Sequence, residues 1–304
     1  MEDAAVVMKH AMQKADVLIE AMKWIREHRG KVTVIKLGGS VMEDEVAMTH
    51  LLLDVVFMET VDMQPVIVHG GGNAISAAMK KAGLEPKFVQ GRRYTDEASL
   101  NIVKKVLGEE ICESLADQIE FLGGIGHSLT PCFGQNILFG KKLTLKDEKG
   151  DDVDMGLVGE VTRVDTKPIL RCCLRGVIPV IPSIAVMDDG SGQCLNVNAD
   201  TAATAVAKAL QAEKLVYVSE VNGVRTDPND PDSMIESITV EKAREMLASG
   251  AIVGGMIPKI QACLETLERG VKKIHIINGR LRHSLLLEIF TSSGVGTEIT
   301  GSPR

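Results

Sequence analysis

Short runs of apolar residues, rich in valine and isoleucine, recur along the chain from about residue 30 onward. Each run is almost continuously apolar, which is typical of strands covered on both faces of a parallel sheet. Amphipathic helical patterns separate the runs, and this alternation indicates an α/β fold. The predicted strands are residues 32–37, 65–69, 176–181, 215–219 and 273–277.

Helical patterns between these strands include residues 45–61 and 200–212, so we expect a three-layer αβα sandwich around a central, mostly parallel sheet. One segment breaks the alternation. Residues 136–146 and 153–164 flank a polar, glycine-containing turn at 147–150, which predicts a β-hairpin. A hairpin inserted into an α/β domain is a candidate lid.

The first 29 residues differ from the rest because their apolar residues recur at helical spacing. Residues 8, 12, 15, 19 and 22 form one apolar stripe of a predicted amphipathic helix. Such a stripe needs a surface to cover it. The covering surface is either the helix's own domain or a neighbouring subunit.

Composition narrows the class of protein. The 304 residues carry a formal net charge of −7, and lysine and arginine are scattered, so the basic footprint of a nucleic-acid binder is missing. Six cysteines without a C-x-x-C pair predict reduced thiols and a cytoplasmic location. No apolar run approaches ~18 residues, so we expect neither a membrane span nor a signal peptide.

Lys36 stands near the end of the first predicted strand, directly before a turn that contains Gly38 and Gly39. Open α/β sheets bind ligands beyond the carboxyl ends of their strands. Glycine lets backbone N–H groups approach phosphate oxygens, and an ammonium group adds a positive charge. The alternative is a lysine that extends from a strand end into water.

Three consecutive glycines, Gly70, Gly71 and Gly72, follow the second strand and precede a helical pattern over 74–81. Free N–H groups and the positive end of the helix would converge there, which favours a carboxylate or a phosphate. A plain tight turn is the alternative, although one glycine would suffice for it. P-loop and dinucleotide-binding glycine motifs are absent from the sequence, so a different phosphate site is required.

The segment Asn196-Val-Asn198-Ala-Asp200 precedes an alanine-rich helix. Asn198 is a candidate N-cap, and Asp200 lies in the first turn, where the helix dipole stabilises a carboxylate. Capping alone would explain Asp200. It does not explain Asn196, which falls before the cap.

Lys259 follows a proline at a predicted helix start, where its charge opposes the helix dipole, and this placement indicates an anion nearby. An ordinary surface lysine is the alternative. Arg93 lies in a predicted loop before a helix that opens near Thr95, a position suited to bidentate binding of a carboxylate.

Together these segments resemble the acetylglutamate kinases of the amino acid kinase family over nearly the whole chain. The resemblance implies that Lys36 and Lys259 stabilise a phosphoryl group in transfer while Asp200 orients both lysines. It implies that N-acetyl-L-glutamate is held by Gly71, Gly72, Arg93 and Asn196. The implied nucleotide-binding residues are Gly38, Gly39, Glu220, Val221, Gly223, Gly254, Gly255 and Met256.

The implied reaction is phosphorylation of the γ-carboxylate of N-acetyl-L-glutamate by ATP with Mg²⁺, a step of arginine biosynthesis. That carboxylate is already ionised near neutral pH, so no general base is needed. The implied organisation is an amino-acid lobe over 30–211 and a nucleotide lobe over 212–304. The competing functions are a kinase of a related acyl amino acid or of carbamate, and a non-catalytic arginine sensor.

The helix within residues 1–29 resembles the extension of arginine-inhibited members, in which such helices link dimers into a hexamer. The resemblance places arginine at positions that match Trp24, Lys214, His275, Glu288 and Gly294. Two departures stand out. Trp24 replaces an expected tyrosine, and Ser219-Glu220 replaces a more usual Thr-Asp pair.

Overall fold

A computed structural model describes residues 4–146, 149–227, 230, 233–252, 256–268, 270–291 and 294–301. Its helices are α1 (Ala4–His28), α2 (Glu45–Thr60), α3 (Gly72–Lys81), α4 (Glu97–Val103), α5 (Cys112–Phe121), α6 (Thr166–Cys173), α7 (Ala199–Ala209), α8 (Val240–Ala248), α9 (Met256–Glu268) and α10 (Ser284–Phe290). A π-helical segment, Lys104–Ile111, joins α4 to α5, and short 3₁₀ turns cover Val41–Glu43 and Pro131–Phe133.

Its strands are β1 (Val32–Leu37), β2 (Gln64–His69), β3 (Phe88–Val89), β4 (Arg92–Arg93), β5 (Gly126–Ser128), β6 (Leu138–Lys142), β7 (Leu145–Lys146), β8 (Asp152–Val153), β9 (Val158–Val164), β10 (Ile178–Pro182), β11 (Ile184–Met187), β12 (Cys194–Val197), β13 (Lys214–Ser219), β14 (Ser237–Thr239), β15 (Lys273–Asn278) and β16 (Thr297–Thr300).

Among the described residues, the central sheet has eight strands in the order β14-β16-β15-β13-β1-β2-β10-β5. All neighbouring pairs are parallel except β15 with β16. Side chains of β1 alternate between two cores, so that Val34 lies in one and Ile35 in the other. The predicted αβα sandwich with a mostly parallel sheet is confirmed.

Each of the five predicted strands forms, with small shifts at the ends. Strand β10 begins at Ile178 rather than at residue 176, because Gly176 has a φ of +68° that does not fit an extended strand. The helix predicted over 200–212 ends at Ala209, and Gln211 just beyond it has a φ of +48°. Helix ends are the least certain feature of a sequence pattern.

The predicted hairpin also forms. Strand β6 pairs antiparallel with β9, and β7 pairs with β8 further out, while residues 147 and 148 of the turn lie outside the described part of the chain. Strands β6 and β9 close a four-stranded barrel with β11 and β12. Strands β11 and β12 follow directly on the carboxyl end of β10 in the chain, whereas β6 and β9 precede it.

Among the residues of α1 whose side chains the structure describes, those at the C-terminal end pack on the rest of the chain. Trp24 and Ile25 contact the core on the α2 face, and His28 is buried. Towards the N-terminus the apolar stripe is exposed: the relative exposure of Met8, Met12 and Ile19 is 64%, 62% and 67%. Own-domain packing is therefore wrong for most of the stripe, and the described part of the chain leaves that surface open to another subunit.

All six cysteines are free thiols, as predicted, and Cys112, Cys194 and Cys263 are buried. Burial raises the pKa of the Cys112 and Cys173 thiols to about 12. Across the described residues, none of the helices has the length and apolarity to cross a membrane.

Candidate functional site

Lys36 lies on a central strand, paired in register with Val68 of β2 and Tyr217 of β13. Its Nζ is 2.7 Å from Oδ1 of Asp200, and the two side chains are only 16% and 35% exposed. The strand end therefore directs an ammonium group at a carboxylate instead of into open water. The alternative of a solvent-directed lysine is wrong.

Asp200 belongs to the first turn of α7. The helix begins where Asn198 accepts hydrogen bonds from the backbone N–H groups of Asp200 and Thr201, at 2.9 and 3.0 Å. Asn198 is thus the predicted N-cap. Because capping is done by Asn198, the carboxylate of Asp200 is available to Lys36.

Lys259 enters the same site from α9. Its Nζ donates a hydrogen bond to Oγ of Ser219, at 2.8 Å. Burial lowers the pKa of Lys259, the nearby Asp200 raises it, and the nearby Lys36 lowers it further. Both groups of the Lys36–Asp200 pair thus act on Lys259, and we call these three residues the lysine–aspartate cluster.

The two glycine turns lie against one another beside this cluster. A Cβ on Gly39 would lie 3.5 Å from the amide nitrogen of Gly72. A Cβ on Gly71 would meet Leu107 at 2.6 Å and Ile111 at 2.7 Å, so the π-helical segment leaves no room for a side chain there. Helix α3 begins at Gly72, and its free N–H groups face the site.

A cavity of about 220 Å³ opens over the turns. Its polar lining includes Lys36, Gly39, Gly70, Gly71, Gly72, Arg93, Ser183, Asn196 and Asn198, and apolar side chains such as Ile75, Leu107 and Val158 complete it. The structure therefore brings together all the residues that the sequence assigned to the amino-acid substrate. We call this space the acceptor cavity.

Arg93 is buried rather than placed in an open loop, because β4 pairs with β3 and the guanidinium stacks on Phe88. Its Nη2 donates to the carbonyl oxygen of Gly72 at 2.8 Å and to Oγ of Ser76 at 2.7 Å. Burial lowers its pKa, yet a guanidinium stays charged in proteins. Arg93 therefore presents a fixed positive charge to the acceptor cavity.

A second cavity, of about 380 Å³, lies beyond the end of β13. The residues around it are Glu220, Val221, Asn222, Gly223, Val224, Arg225, Ala251, Ile252, Met256 and Asn278. Four predicted nucleotide residues thus lie together, whereas Gly254 and Gly255 are outside the described residues. We call this space the nucleotide cavity.

Gly38 lines neither cavity as described. It lies under the first turn, where a Cβ would be 2.9 Å from the carbonyl oxygen of Val218 and 3.9 Å from Nζ of Lys36. Its position lets the turn approach β13 closely. Gly39, by contrast, reaches the acceptor cavity directly.

A separate buried cluster contains Lys214, His275 and Glu288, which we call the histidine–glutamate cluster. Nζ of Lys214 is 3.3 Å from Nε2 of His275, and Nδ1 of His275 is 2.6 Å from Glu288. Since Nε2 accepts from the ammonium group, Nδ1–H donates to the carboxylate. The other oxygen of Glu288 accepts from the N–H groups of Val295 and Gly296.

Predicted arginine-site residues are therefore mostly gathered, since Gly294 lies against Glu288 as well. Trp24 is further away, and its ring stacks on His28 with centroids 6.2 Å apart. Burial lowers the pKa of His28 to about 4, and the nearby Lys214 contributes to this shift. His28 thus stacks on Trp24 and is within electrostatic range of Lys214.

Sequence reasoning missed Ser183 and Thr95 as site residues, and it treated Ser219 only as a departure from the expected pattern. Ser219 could have been found, because it ends a strand beside Glu220 at the ligand-binding edge of the sheet. Thr95 carried no such signal. It is buried behind Asn196, and only the fold brings them together.

Comparison with known proteins agrees with this geometry. The profile of the Amino acid kinase family matches residues 31–278. The chain is 44% identical over 292 residues to the acetylglutamate kinase of Methanobrevibacter smithii, covering 95% of this chain and 99% of that protein. It is 44% identical over 296 residues to that of Methanocaldococcus jannaschii, covering 96% of this chain and 98% of that protein.

Among solved structures, the N-acetylglutamate synthase of Neisseria gonorrhoeae complexed with coenzyme A and L-arginine aligns with a TM-score of 0.78 at 23% identity. The alignment covers 95% of this chain and 65% of that one. At such identity the likeness demonstrates a shared fold and nothing further.

Proposed function

The chain belongs to the amino acid kinase family, and on that premise we propose that it transfers the γ-phosphoryl group of ATP to the γ-carboxylate of N-acetyl-L-glutamate. The product is N-acetyl-L-glutamyl 5-phosphate, an intermediate of arginine biosynthesis. One observation carries the proposal: the lysine–aspartate cluster stands at the carboxyl ends of the central strands, with Lys36 lining the acceptor cavity and Ser219, which binds Lys259, preceding the nucleotide cavity.

The acceptor cavity suits a molecule with two carboxylates and a short apolar chain. Arg93 supplies a buried cation for one carboxylate. Free N–H groups at the start of α3 would hold the other, next to Lys36. Asn196 supplies an amide between them.

In the transfer, a carboxylate oxygen forms a bond to the γ-phosphorus while the bond from that phosphorus to the β–γ bridging oxygen breaks. No proton moves, because the acceptor is already ionised. Charge neutralisation and positioning therefore supply the catalysis. Lys36 and Lys259 would bind the oxygens of the transferring group, and Asp200 would offset the repulsion between the two ammonium groups.

ATP would place its base and ribose in the nucleotide cavity, against Glu220, Val221, Gly223 and Met256, with the loop of Gly254 and Gly255 nearby in the chain. Gly38 and Gly39 would lie near its phosphates. Mg²⁺ bound to ATP would neutralise charge on the β- and γ-phosphates. This chain's own contribution is to orient the phosphates with backbone N–H groups and to hold two ammonium groups beside them.

We further propose the lobe assignment from the resemblance: residues 30–211 hold the amino acid and residues 212–304 hold the nucleotide. Reduced thiols support a cytoplasmic location. The exposed stripe of α1 supports its role as an oligomerisation helix that links dimers into a hexamer.

Arginine inhibition is part of the same proposal. Glu288 supplies a carboxylate that suits a guanidinium, and the backbone of Gly294 lies directly against that carboxylate. In this structure His275 and two N–H groups already satisfy Glu288. Arginine would have to displace part of that network, so we expect binding to be coupled to a rearrangement around α10.

Coupled release of ADP by the purified protein tests the function. N-acetyl-L-glutamate, N-acetyl-L-2-aminoadipate, aspartate and carbamate are compared as acceptors in the presence of ATP and Mg²⁺. We expect N-acetyl-L-glutamate to give the highest kcat/KM. A higher value with another acceptor would reassign the substrate, and no turnover with any of them would overturn the kinase proposal.

A further inference from the structure

Thr95 lies directly behind the acceptor cavity without lining it. Its side chain is fully buried, and its hydroxyl oxygen lies 3.0 Å from the carbonyl oxygen of Arg93 and 3.0 Å from Nδ2 of Asn196. Both partners belong to residues that do line the cavity. Thr95 therefore connects two ligand-facing residues from the inside.

Hydrogen counting fixes the direction of both bonds. A hydroxyl has one hydrogen to donate, and the carbonyl oxygen of Arg93 can only accept, so that hydrogen goes to Arg93. The hydroxyl must then accept from Asn196, which means that the NH₂ group of the amide faces Thr95. The reversed amide would place two acceptors without a hydrogen against each other.

This orientation decides what Asn196 offers to a ligand. One N–H is used by Thr95, which leaves the second N–H and Oδ1. Among the described residues, Oδ1 of Asn196 has no hydrogen-bond partner. The half-buried amide thus presents one donor and one acceptor to the cavity.

Thr95 is itself held by backbone bonds on both sides. Its N–H donates to the carbonyl oxygen of Met155 at 3.3 Å, and its carbonyl oxygen accepts from the N–H of Leu157 at 2.6 Å. Between them Gly156, with a φ of +66°, passes so close that a Cβ would lie 2.3 Å from the carbonyl oxygen of Thr95. The backbone of Thr95 is therefore held in place by the segment that leads into β9.

We propose that Thr95 is a positioning residue that sets acceptor specificity by fixing the amide of Asn196. The inference rests on the proposed function. An N-acyl α-amino acid carries a carboxylate, which accepts, beside an amide N–H, which donates, and the fixed amide complements this pair. A free amino acid would instead bring an ammonium group next to the buried cation of Arg93.

Steady-state kinetics of Thr95→Val and Thr95→Ser test the proposal, because valine removes the hydroxyl at nearly constant shape whereas serine keeps it. We expect Thr95→Val to raise KM for N-acetyl-L-glutamate about tenfold, with KM for ATP within about twofold of wild type. Thr95→Ser should stay close to wild type. If valine and serine behave alike, or if KM for ATP rises in parallel, the proposal is wrong.

Two further measurements separate positioning from general damage. The first is selectivity against O-acetyl-2-hydroxyglutarate, in which an ester oxygen replaces the N–H, and the preference for the amide substrate should narrow in Thr95→Val. The second is a double-mutant cycle with Asn196→Ala. In the Asn196→Ala background, Thr95→Val should raise KM by less than about twofold, because its effect passes through Asn196. Independent, multiplying effects would overturn the inference.

Thermal unfolding is measured for each variant. If the Thr95→Val protein does not fold, Thr95→Ala replaces it in the double-mutant cycle. The wild-type protein serves as the reference for the proposed function. If it turns over N-acetyl-L-glutamate while Thr95→Val keeps normal KM and selectivity, only the role of Thr95 falls. If wild type itself is inactive, the proposed function falls.

Discussion

Two lysine–carboxylate clusters occupy the same sheet, and they differ in whether their charges are already satisfied. In the lysine–aspartate cluster, Lys36 and Asp200 are partly exposed at a cavity. In the histidine–glutamate cluster, Lys214, His275 and Glu288 are buried, and Glu288 has partners for both oxygens. The residue types are similar, but only the first cluster has charge to offer to a ligand without rearrangement.

Register explains the separation. Lys36 pairs with Tyr217, three residues after Lys214 on the neighbouring strand, which corresponds to about 10 Å along the strand. Alternation places Lys36 on the face of Val34 and Lys214 on the face of Ile35 and Val216. The proposed reaction site and the proposed arginine site therefore lie on opposite faces of the sheet and beside different helices, α7 and α9 in one case and α1 and α10 in the other.

Lys36→Ala gives the largest expected effect and tests the lysine–aspartate cluster. Alanine removes the positive charge that Lys36 would place beside the transferring phosphoryl group. This loss should lower kcat by ~10² or more, as loss of a single oxyanion donor does. Steady-state release of ADP provides the measurement. Lys208→Ala, an exposed lysine on α7, is the matched control, and an unchanged kcat in Lys36→Ala would assign Lys36 a structural role.

Glu288→Gln tests the histidine–glutamate cluster. The carboxylate accepts from His275 and from two backbone N–H groups, whereas glutamine keeps one acceptor oxygen and brings an NH₂ group against one set of these donors. This buried mismatch should lower the free energy of unfolding by about 3 kcal/mol. Urea unfolding measures this loss. Glu245→Gln, in an exposed pair with Lys242, should cost less than about 1 kcal/mol, and equal losses would contradict the difference between buried and exposed pairs.

Acid should lower the free energy of unfolding through His28, which lies at the end of α1. The pKa of His28 is about 4 in the folded protein and 6.5 in the reference state, so the unfolded chain takes up a proton that the folded chain does not. Stability is thus lost as pH falls from about 6.5 to about 4, by about 3 kcal/mol from this group. His28→Gln should flatten the dependence in urea unfolding across this range, whereas His127→Gln, at an exposed histidine, should leave it intact.

Deletion of residues 1–20 tests whether α1 supports oligomerisation and arginine binding at the histidine–glutamate cluster. The cut removes residues 8, 12, 15 and 19 of the exposed stripe while it keeps Trp24, Ile25 and His28, which pack on the rest of the chain. If the proposed hexamer and arginine inhibition depend on this stripe, the truncated protein should be a dimer and should be inhibited less by arginine. Light scattering that gives the same mass before and after truncation would count against the role of the helix.

Ser219→Ala gives the smallest expected effect. Ser219 accepts a hydrogen bond from Lys259, and its loss should lower kcat between about twofold and tenfold, the value of a single hydrogen bond. A Ser219→Thr variant keeps the hydroxyl and should restore most of the rate. If Ser219→Ala matches wild type, Lys259 is positioned by its helix alone.

Much of this arrangement was predictable from sequence. The apolar runs located the central strands, and the rule that ligands bind at carboxyl ends directed attention to Lys36 and to the glycine turns. Asn198 was predictable as an N-cap because capping is local. The grouping of Lys36, Asp200 and Lys259 was implied by a family resemblance, since spacing along the chain does not encode which helices meet.

Other features could not be read from the sequence because they depend on packing. The buried position of Arg93 follows from a two-residue strand pair that no periodicity reveals. The π-helical segment beside Gly71 has the same apolar pattern as an ordinary helix. The full burial of Glu288 is a tertiary effect, because acidic residues are rarely inside unless they are paired.

The central claim is that Lys36 and Lys259 meet at one phosphoryl group. A crystal structure with ADP, Mg²⁺, aluminium fluoride and N-acetyl-L-glutamate tests it most directly. The account predicts that both Nζ atoms lie within hydrogen-bonding distance of the fluoride group, with Asp200 between them. A complex in which either lysine faces solvent, away from that group, would contradict it.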